Sequence, residues 1–151
     1  LDIRLDDLSG EQVKALLAAH LAGMQENSPP DSVYSLDISG LKAADVSVWT
    51  AWDGQELCGV GALRQLSPET GEIKSMRTDP AHLRKGVGLS ILNHIIAEAR
   101  RRGYRCLSLE TGSGEEFEAA LGLYRKRGFE NGASFGDYVA SDFNQFLHLD
   151  L

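Results

Sequence analysis

Two glycines, Gly86 and Gly88, stand one residue apart behind Arg84 and Lys85 and open a stretch whose apolar residues recur at helical spacing. Val87, Ile91, Leu92, Ile95, Ile96 and Ala99 fall on one stripe of a 3.6-residue helix. Arg100, Arg101 and Arg102 complement the negative end of its dipole, and Gly103 stops it. The first N–H groups of a helix have no partner within it and carry the positive end of the dipole, so an anion satisfies them. Gly86 and Gly88 remove the Cβ atoms that would hold a pyrophosphate away from the main chain, while Arg84 and Lys85 add charge at the rim. Val87, Leu89 and Ser90 complete the run whose N–H groups are candidates for that anion. A dinucleotide fingerprint needs a third glycine where Ile91 stands, and a Walker-type loop needs Gly-Lys-Ser/Thr after a wider spacing. Paired glycines also mark plain turns, so the flanking segments decide.

Those segments alternate between strand and helix patterns. Residues 2–5 predict a strand. Ser9, Gly10, Glu11 and Gln12 read as a capping box for a helix with Val13, Leu16, Leu17, Leu21 and Met24 on one face, ended by Pro29 and Pro30. Residues 31–45 are mixed and polar, and predict a loop with a short second helix. Residues 46–52 and 56–66 predict strands joined at Asp53 and Gly54, a hairpin signal. Residues 71–78 extend that antiparallel sheet, the Val87 helix crosses over, and residues 106–110 return parallel to it. A further helix ends near Tyr124, and a last hairpin is expected from residues 137–140 and 144–149.

Composition sets outer limits. A chain of 151 residues, 42% hydrophobic, can bury one core and leaves no room for a second, so residues 1–151 read as a single domain. No apolar run approaches the ~20 residues that span a bilayer, and no signal-peptide pattern opens the chain; a cytoplasmic location and no membrane partner are expected. The formal charge of −7 disfavours nucleic acid, which needs a basic field. Cys58 and Cys106 lie in strand-like apolar contexts, which suits reduced, buried thiols better than a disulfide. His20, His82, His94 and His148 show no zinc-like spacing, so no metal is expected.

At residues 83–88, and again from Tyr124 to Phe129, the chain resembles the GNAT superfamily of acyl-CoA-dependent N-acetyltransferases. The family's Q/R-x-x-G-x-G/A signature falls on Leu83 to Gly88, with leucine in the first position, and its Y-x-x-x-G-F segment falls on Tyr124 to Phe129. The likeness is good over residues 45–151 and looser before them. It implies an α/β fold of the α+β kind: a mixed, mostly antiparallel sheet of six or seven strands flanked by about four helices. Acetyl-CoA is the implied co-substrate, held by the helix start and by residues at the end of the 71–78 strand, Met76, Arg77 and Thr78. In this family that strand commonly carries a bulge, which leaves the face of Arg77 open. Thr111 and Ser113 stand where many members place Asn, and are the candidates for that polar contact. Self-association as a homodimer stays open.

The resemblance also names two catalytic candidates. Glu72, eleven residues before Leu83, matches a general-base glutamate that takes a proton from the acceptor's ammonium group, directly or through water. Only a neutral amine has the lone pair to attack a carbonyl. The competing reading of Glu72 is an ion pair with Lys74 on one face of the strand. Tyr124 matches a phenol that donates a proton to the departing CoA thiolate, since a tyrosine near its ordinary pKa of about 10 stays protonated. It equally suits a core aromatic. The implied acceptor is a small-molecule primary amine, admitted between the first-helix loop, residues 20–32, and the segment around Gly136, Asp137 and Tyr138. His20 is a candidate contact there. Residues 20–34 and 110–114 look like those of a group of bacterial GNAT proteins of undefined substrate. Two other functions fit the same residues: an acyl-CoA-binding module without turnover, and an acetyltransferase acting on a protein or aminoacyl-tRNA amine.

Overall fold

The computed structural model describes all 151 residues except 31, 32, 34 and 35. Strand β1 (Asp2–Leu5) lies antiparallel to β2 (Val46–Asp53), which turns back into β3 (Glu56–Ser67). The turn is closed by the Asp53–Glu56 pair, with Gly54 at φ +60°, as the first central position of a two-residue hairpin turn requires. Strand β4 (Thr70–Thr78) continues the antiparallel run and β5 (Cys106–Thr111) joins it in parallel. Strands β6 (Glu130–Asn131) and β7 (Gln145–Asp150) follow, giving a seven-stranded sheet of order β1-β2-β3-β4-β5-β7-β6. Among the described residues four α-helices flank it: α1 (Glu11–Asn27), α2 (Ile38–Leu41), α3 (Val87–Arg101) and α4 (Glu118–Lys126). The expected sheet and helix content are both present.

Each face of the sheet carries its own core. On one face the α3 stripe is buried against Trp49, Leu63, Ile73, Leu107 and Leu109, with α4 completing the layer. On the other, Leu16 and Leu17 of α1 pack on Val48, Val60 and Ala62. At roughly 1.5–3 kcal/mol for each fully buried aliphatic side chain, the six-residue stripe of α3 makes it the most firmly anchored helix.

Two local expectations are corrected. Ser9 does not cap α1: its hydroxyl donates to Asp7 Oδ1 at 2.6 Å, and Gly10 takes the N-cap position without a side-chain bond. Gln12 is engaged by the β2–β3 hairpin, donating to Gln55 O at 2.9 Å and accepting from Leu57 N at 3.0 Å. Residues 137–140 form no strand. Asn144 organises that stretch as a turn, accepting from Ser141 N at 2.8 Å and donating to Val139 O at 2.9 Å, so β7 pairs with Glu130 and Asn131 instead.

Candidate active site

Strands β4 and β5 pair only at Thr70–Cys106, Gly71–Leu107 and Glu72–Ser108, and then part. Beyond that point β5 is held by β7, while β4 stays with β3 through an irregular register. Ala62 faces Lys74 and Val60 faces Arg77, so two residues, Ser75 and Met76, stand against Gly61 alone. This is a bulge, with Ser75 at φ +55°. Glycine is needed opposite it, because a Cβ on Gly61 would come within 2.6 Å of Met76 Sδ and 2.7 Å of Ile91.

The extra residue decides which side chains share a face. Without it Lys74 and Arg77, three apart, would point to opposite sides of the sheet. With it Glu72, Lys74 and Arg77 all lie on the α1 side with Val60 and Ala62, whereas Met76 turns to Ile91 of α3 and Thr78 to Gly88. The parting opens a cavity of about 480 Å³ that reaches both sides of the sheet.

On the α3 side the site is made of main chain and apolar surface. Gly86 caps the helix at φ +78°, and Arg84 two residues before it is also left-handed, at φ +63°. Ser90 N–H bonds Gly86 O at 3.0 Å, so it is withdrawn from the expected anion site. The N–H groups of Val87, Gly88 and Leu89, without an i−4 acceptor, are left for it. The Val87 side chain is buried in the core and can contribute only its main chain. Gly88 lines the cavity; a Cβ there would meet Leu123 at 3.2 Å. Ala119, Ala120, Leu123 and Phe117 supply an apolar wall, and Thr111 lies at the end of β5. Tyr124 lines the same space, buried, with its ring edge-on to Phe129. Burial raises its pKa, which keeps the phenol protonated.

On the α1 side the site is made of charged side chains drawn from several elements. Glu72 is 1% exposed and does not line the cavity. Its Oε2 accepts from the Tyr138 hydroxyl and from Lys74 Nζ at 3.3 Å, and Lys74 Nζ also donates to Tyr138 Oη at 2.6 Å. The ion pair with Lys74 weighed from the sequence is therefore formed, with Tyr138 as a third member. Lys74 itself borders the cavity, and so does Glu110 on β5. Burial pushes the Glu110 carboxyl up to about 7, opposed by Lys74 and by a hydrogen bond with Asn144, and reinforced by Glu72. Segment 132–144 is held over this face by aromatic contacts of Phe135 with Tyr138, Phe146 and His148, and by His148 Nε2 with Ala133 O at 2.7 Å. His20, Gly23, Met24 and Asn27 of α1 form the opposite rim. Burial and the charge of Arg77 bring His20 down to about 4, so its ring is neutral.

Of the residues expected from the sequence, the structure gathers Met76, Arg77, Thr78, Gly88, Thr111 and Tyr124 around one cavity, with His20 on its rim. Arg84, Lys85, Gly86, Val87, Leu89 and Ser90 form the helix start that meets it through Gly88. Arg77 turns its side chain away from α3. Residues 31 and 32, the end of the expected first-helix loop 20–32, lie outside the described residues. Glu110 was missed as a chemical group; the signal was the one charged residue in the strand Cys106–Thr111, directly before Thr111. Cys58 is buried, Cys106 is half-buried, and neither lines the cavity.

The arrangement can be set against known proteins. The family model described as "Acetyltransferase (GNAT) family" matches residues 13–129. The chain belongs to the GNAT family. It is 49% identical over 147 residues to the uncharacterised N-acetyltransferase YsnE of Bacillus subtilis (strain 168), covering 97% of each chain. It is 44% identical over 149 residues to the uncharacterised N-acetyltransferase YedL of Escherichia coli (strain K12), covering 99% of this chain and 94% of that one. A Bacillus subtilis acetyltransferase solved in complex with CoA superposes with a TM-score of 0.75 at 25% identity, covering 100% of this chain and 99% of the other.

Proposed function

We propose that this GNAT protein transfers an acetyl group from acetyl-CoA to a primary amine of a small molecule, by direct attack within a ternary complex. The observation that carries the reading is the parting of β4 and β5, which opens one cavity onto a main-chain anion site and onto a charged side-chain surface across the sheet. Support for the co-substrate comes from the CoA complex of the Bacillus subtilis structure.

In this reading the N–H groups of Val87, Gly88 and Leu89 hold the pyrophosphate, with Arg84 and Lys85 adding charge at the rim. Met76, Thr78 and Thr111 line the pantetheine path. The bound co-substrate supplies the thioester carbonyl at the strand parting. There the acceptor's ammonium group loses one proton to the enzyme, its lone pair forms the N–C bond, and the C–S bond breaks with its electron pair going to sulfur. Tyr124 provides the hydrogen bond and the proton for that sulfur. The second N–H proton leaves, so the balance is one amide, one thiol and one released proton. Glu72 acts at one remove, fixing Lys74 and Tyr138 rather than touching the amine. No cysteine reaches the cavity among the described residues, which favours direct attack over an acetyl-enzyme.

An amine panel incubated with acetyl-CoA, read by thiol release and by mass spectrometry of the products, tests the reading. Acetylated small amines with intersecting initial-velocity lines are expected. Acetylation confined to protein lysines or aminoacyl-tRNA would overturn the acceptor class, a trapped acetyl-enzyme would overturn the mechanism, and acetyl-CoA binding without turnover would leave a binding module.

A further inference from the structure

The α1 side of the cavity holds a guanidinium, that of Arg77, and a carboxyl group, that of Glu110, which form no ion pair among the described residues. Glu72 and Lys74 cancel each other within their network with Tyr138. Arg77 has no acid partner and no hydrogen bond to its guanidinium among the described residues, although it is half-buried and lines the cavity. A half-buried guanidinium without a counter-charge is open to an anionic ligand, and the bulge that turns it toward α1 is built into the central strand.

Its surroundings are arranged to bring it close to α1. A Cβ on Gly23 would stand 3.3 Å from Arg77 Nη1, so glycine at this position admits the guanidinium against the helix. One turn earlier His20, 8% exposed and lining the same cavity, carries an Nδ1 with no hydrogen-bond partner. The neutral imidazole beside Arg77 adds hydrogen-bonding capacity without a second positive charge. Asn27, two turns along from His20, adds a polar side chain to the same rim. At the end of β5, Glu110 borders the strand parting and forms no ion pair among the described residues.

We infer that the acceptor is a zwitterion, a small amino acid or amino-sulfonate or amino-phosphonate, whose anionic group lies against Arg77 and whose ammonium group lies against Glu110. The ammonium passes its proton to the Glu110 carboxylate, and the resulting lone pair forms the new N–C bond as the C–S bond of the thioester breaks. The amine half rests on the acetyltransferase reading; the anion half rests on Arg77 and α1. A simple cationic amine would leave Arg77 unpaired and repelling it. A planar bidentate guanidinium suits a carboxylate, sulfonate or phosphonate equally, so the probes must separate them.

The test uses the twenty proteinogenic amino acids, taurine and 2-aminoethylphosphonate, each beside the amide or the amine lacking the acid group. Thiol release with acetyl-CoA is measured, together with calorimetric binding of the same probes in the presence of CoA, for the wild type, Arg77→Met and Arg77→Lys. At least one acid should exceed its uncharged counterpart in kcat/KM by on the order of 10- to 100-fold, the range of a charge-assisted hydrogen bond. Arg77→Met should collapse that ratio toward one through KM, and Arg77→Lys should restore part of it. Acetyl-CoA affinity, measured alongside, separates this loss from damage to the co-substrate site. Amides or acid-free amines that match the acids, or an acid preference that survives Arg77→Met, would overturn the inference, as would acids that neither bind nor react. If acids bind in an Arg77-dependent way and nothing is acetylated, the anion site stands and the acetyltransferase reading falls.

Discussion

The two sides of the parted sheet are built from different materials. The α3 side is a helix start and an apolar wall, in which neighbouring residues in sequence supply neighbouring N–H groups. The α1 side collects Glu72, Arg77, Glu110, Tyr138 and His20 from two strands, a loop and a helix, spanning more than a hundred residues of chain. Main-chain donors at a helix end recognise a phosphate whatever the side chains are, so that half can be shared by proteins with different acceptors. The charged half has no such generic form, and under the proposed function its arrangement is where a substrate preference would reside.

Substitutions on either side should therefore fail in different ways. The largest effect is expected from Gly88→Glu, whose Cβ would stand 3.2 Å from Leu123 and whose negative charge would enter the proposed anion site. Acetyl-CoA binding should be lost in a protein that still melts cooperatively, and wild-type affinity by calorimetry would remove Gly88 from the site. Glu110→Gln should leave that binding intact and lower kcat by ~10² to 10⁴, the usual contribution of a general base. In the wild type kcat/KM should climb as pH passes about 7, where Glu110 ionises among Lys74, Asn144 and Glu72. The variant should lack that limb; an unchanged pH profile would count against Glu110 as the proton acceptor.

Tyr124→Phe keeps the ring against Phe129 and removes only the hydroxyl. A fall in kcat of about tenfold, with acetyl-CoA affinity retained, is expected if the phenol serves the departing sulfur. A loss of stability with normal kcat would assign it to the core. Tyr138→Phe removes a hydrogen bond to Glu72 and one to Lys74, and should cost about 1 kcal/mol of stability together with a rise in acceptor KM. Denaturant midpoints and steady-state kinetics on the same sample separate the two.

The smallest effects lie in the pH dependence of stability. His20 is lowered from 6.5 to about 4, so below pH 6.5 the unfolded chain takes a proton that the folded ring refuses, and stability falls as pH falls through that window. Glu110 is raised from 4.5 to about 7, so between those values the folded state holds the extra proton and stability falls as pH rises. Melting temperatures of Glu110→Gln relative to wild type should therefore be higher at pH 8 than at pH 4. His20→Asn should flatten the acid side.

What could be read from the sequence follows the same division. Residues 83–99 alone specify the helix start, because a glycine pair, the basic rim and the apolar stripe of α3 are all local, and a helix offers its first N–H groups wherever it is placed. The strands expected at 2–5, 46–52 and 106–110 were equally legible from alternation and turn residues, the last two forming one residue longer, and so was the parallel return of β5. The capping box at Ser9 was misread because a nearer carboxylate, Asp7, took the hydroxyl. The last hairpin was misread because the Asn144 side chain takes up backbone groups of residues 139–141 that a strand would have paired. Only the tertiary structure decided the face of Arg77, since one bulge residue reverses side-chain parity and nothing local announces its position. It also decided that Glu72 is sealed by Tyr138, sixty-six residues away, while Glu110 borders the cavity. Local chemistry sets what a helix end can bind, whereas the meeting of distant charges depends on which strands pair and where they part.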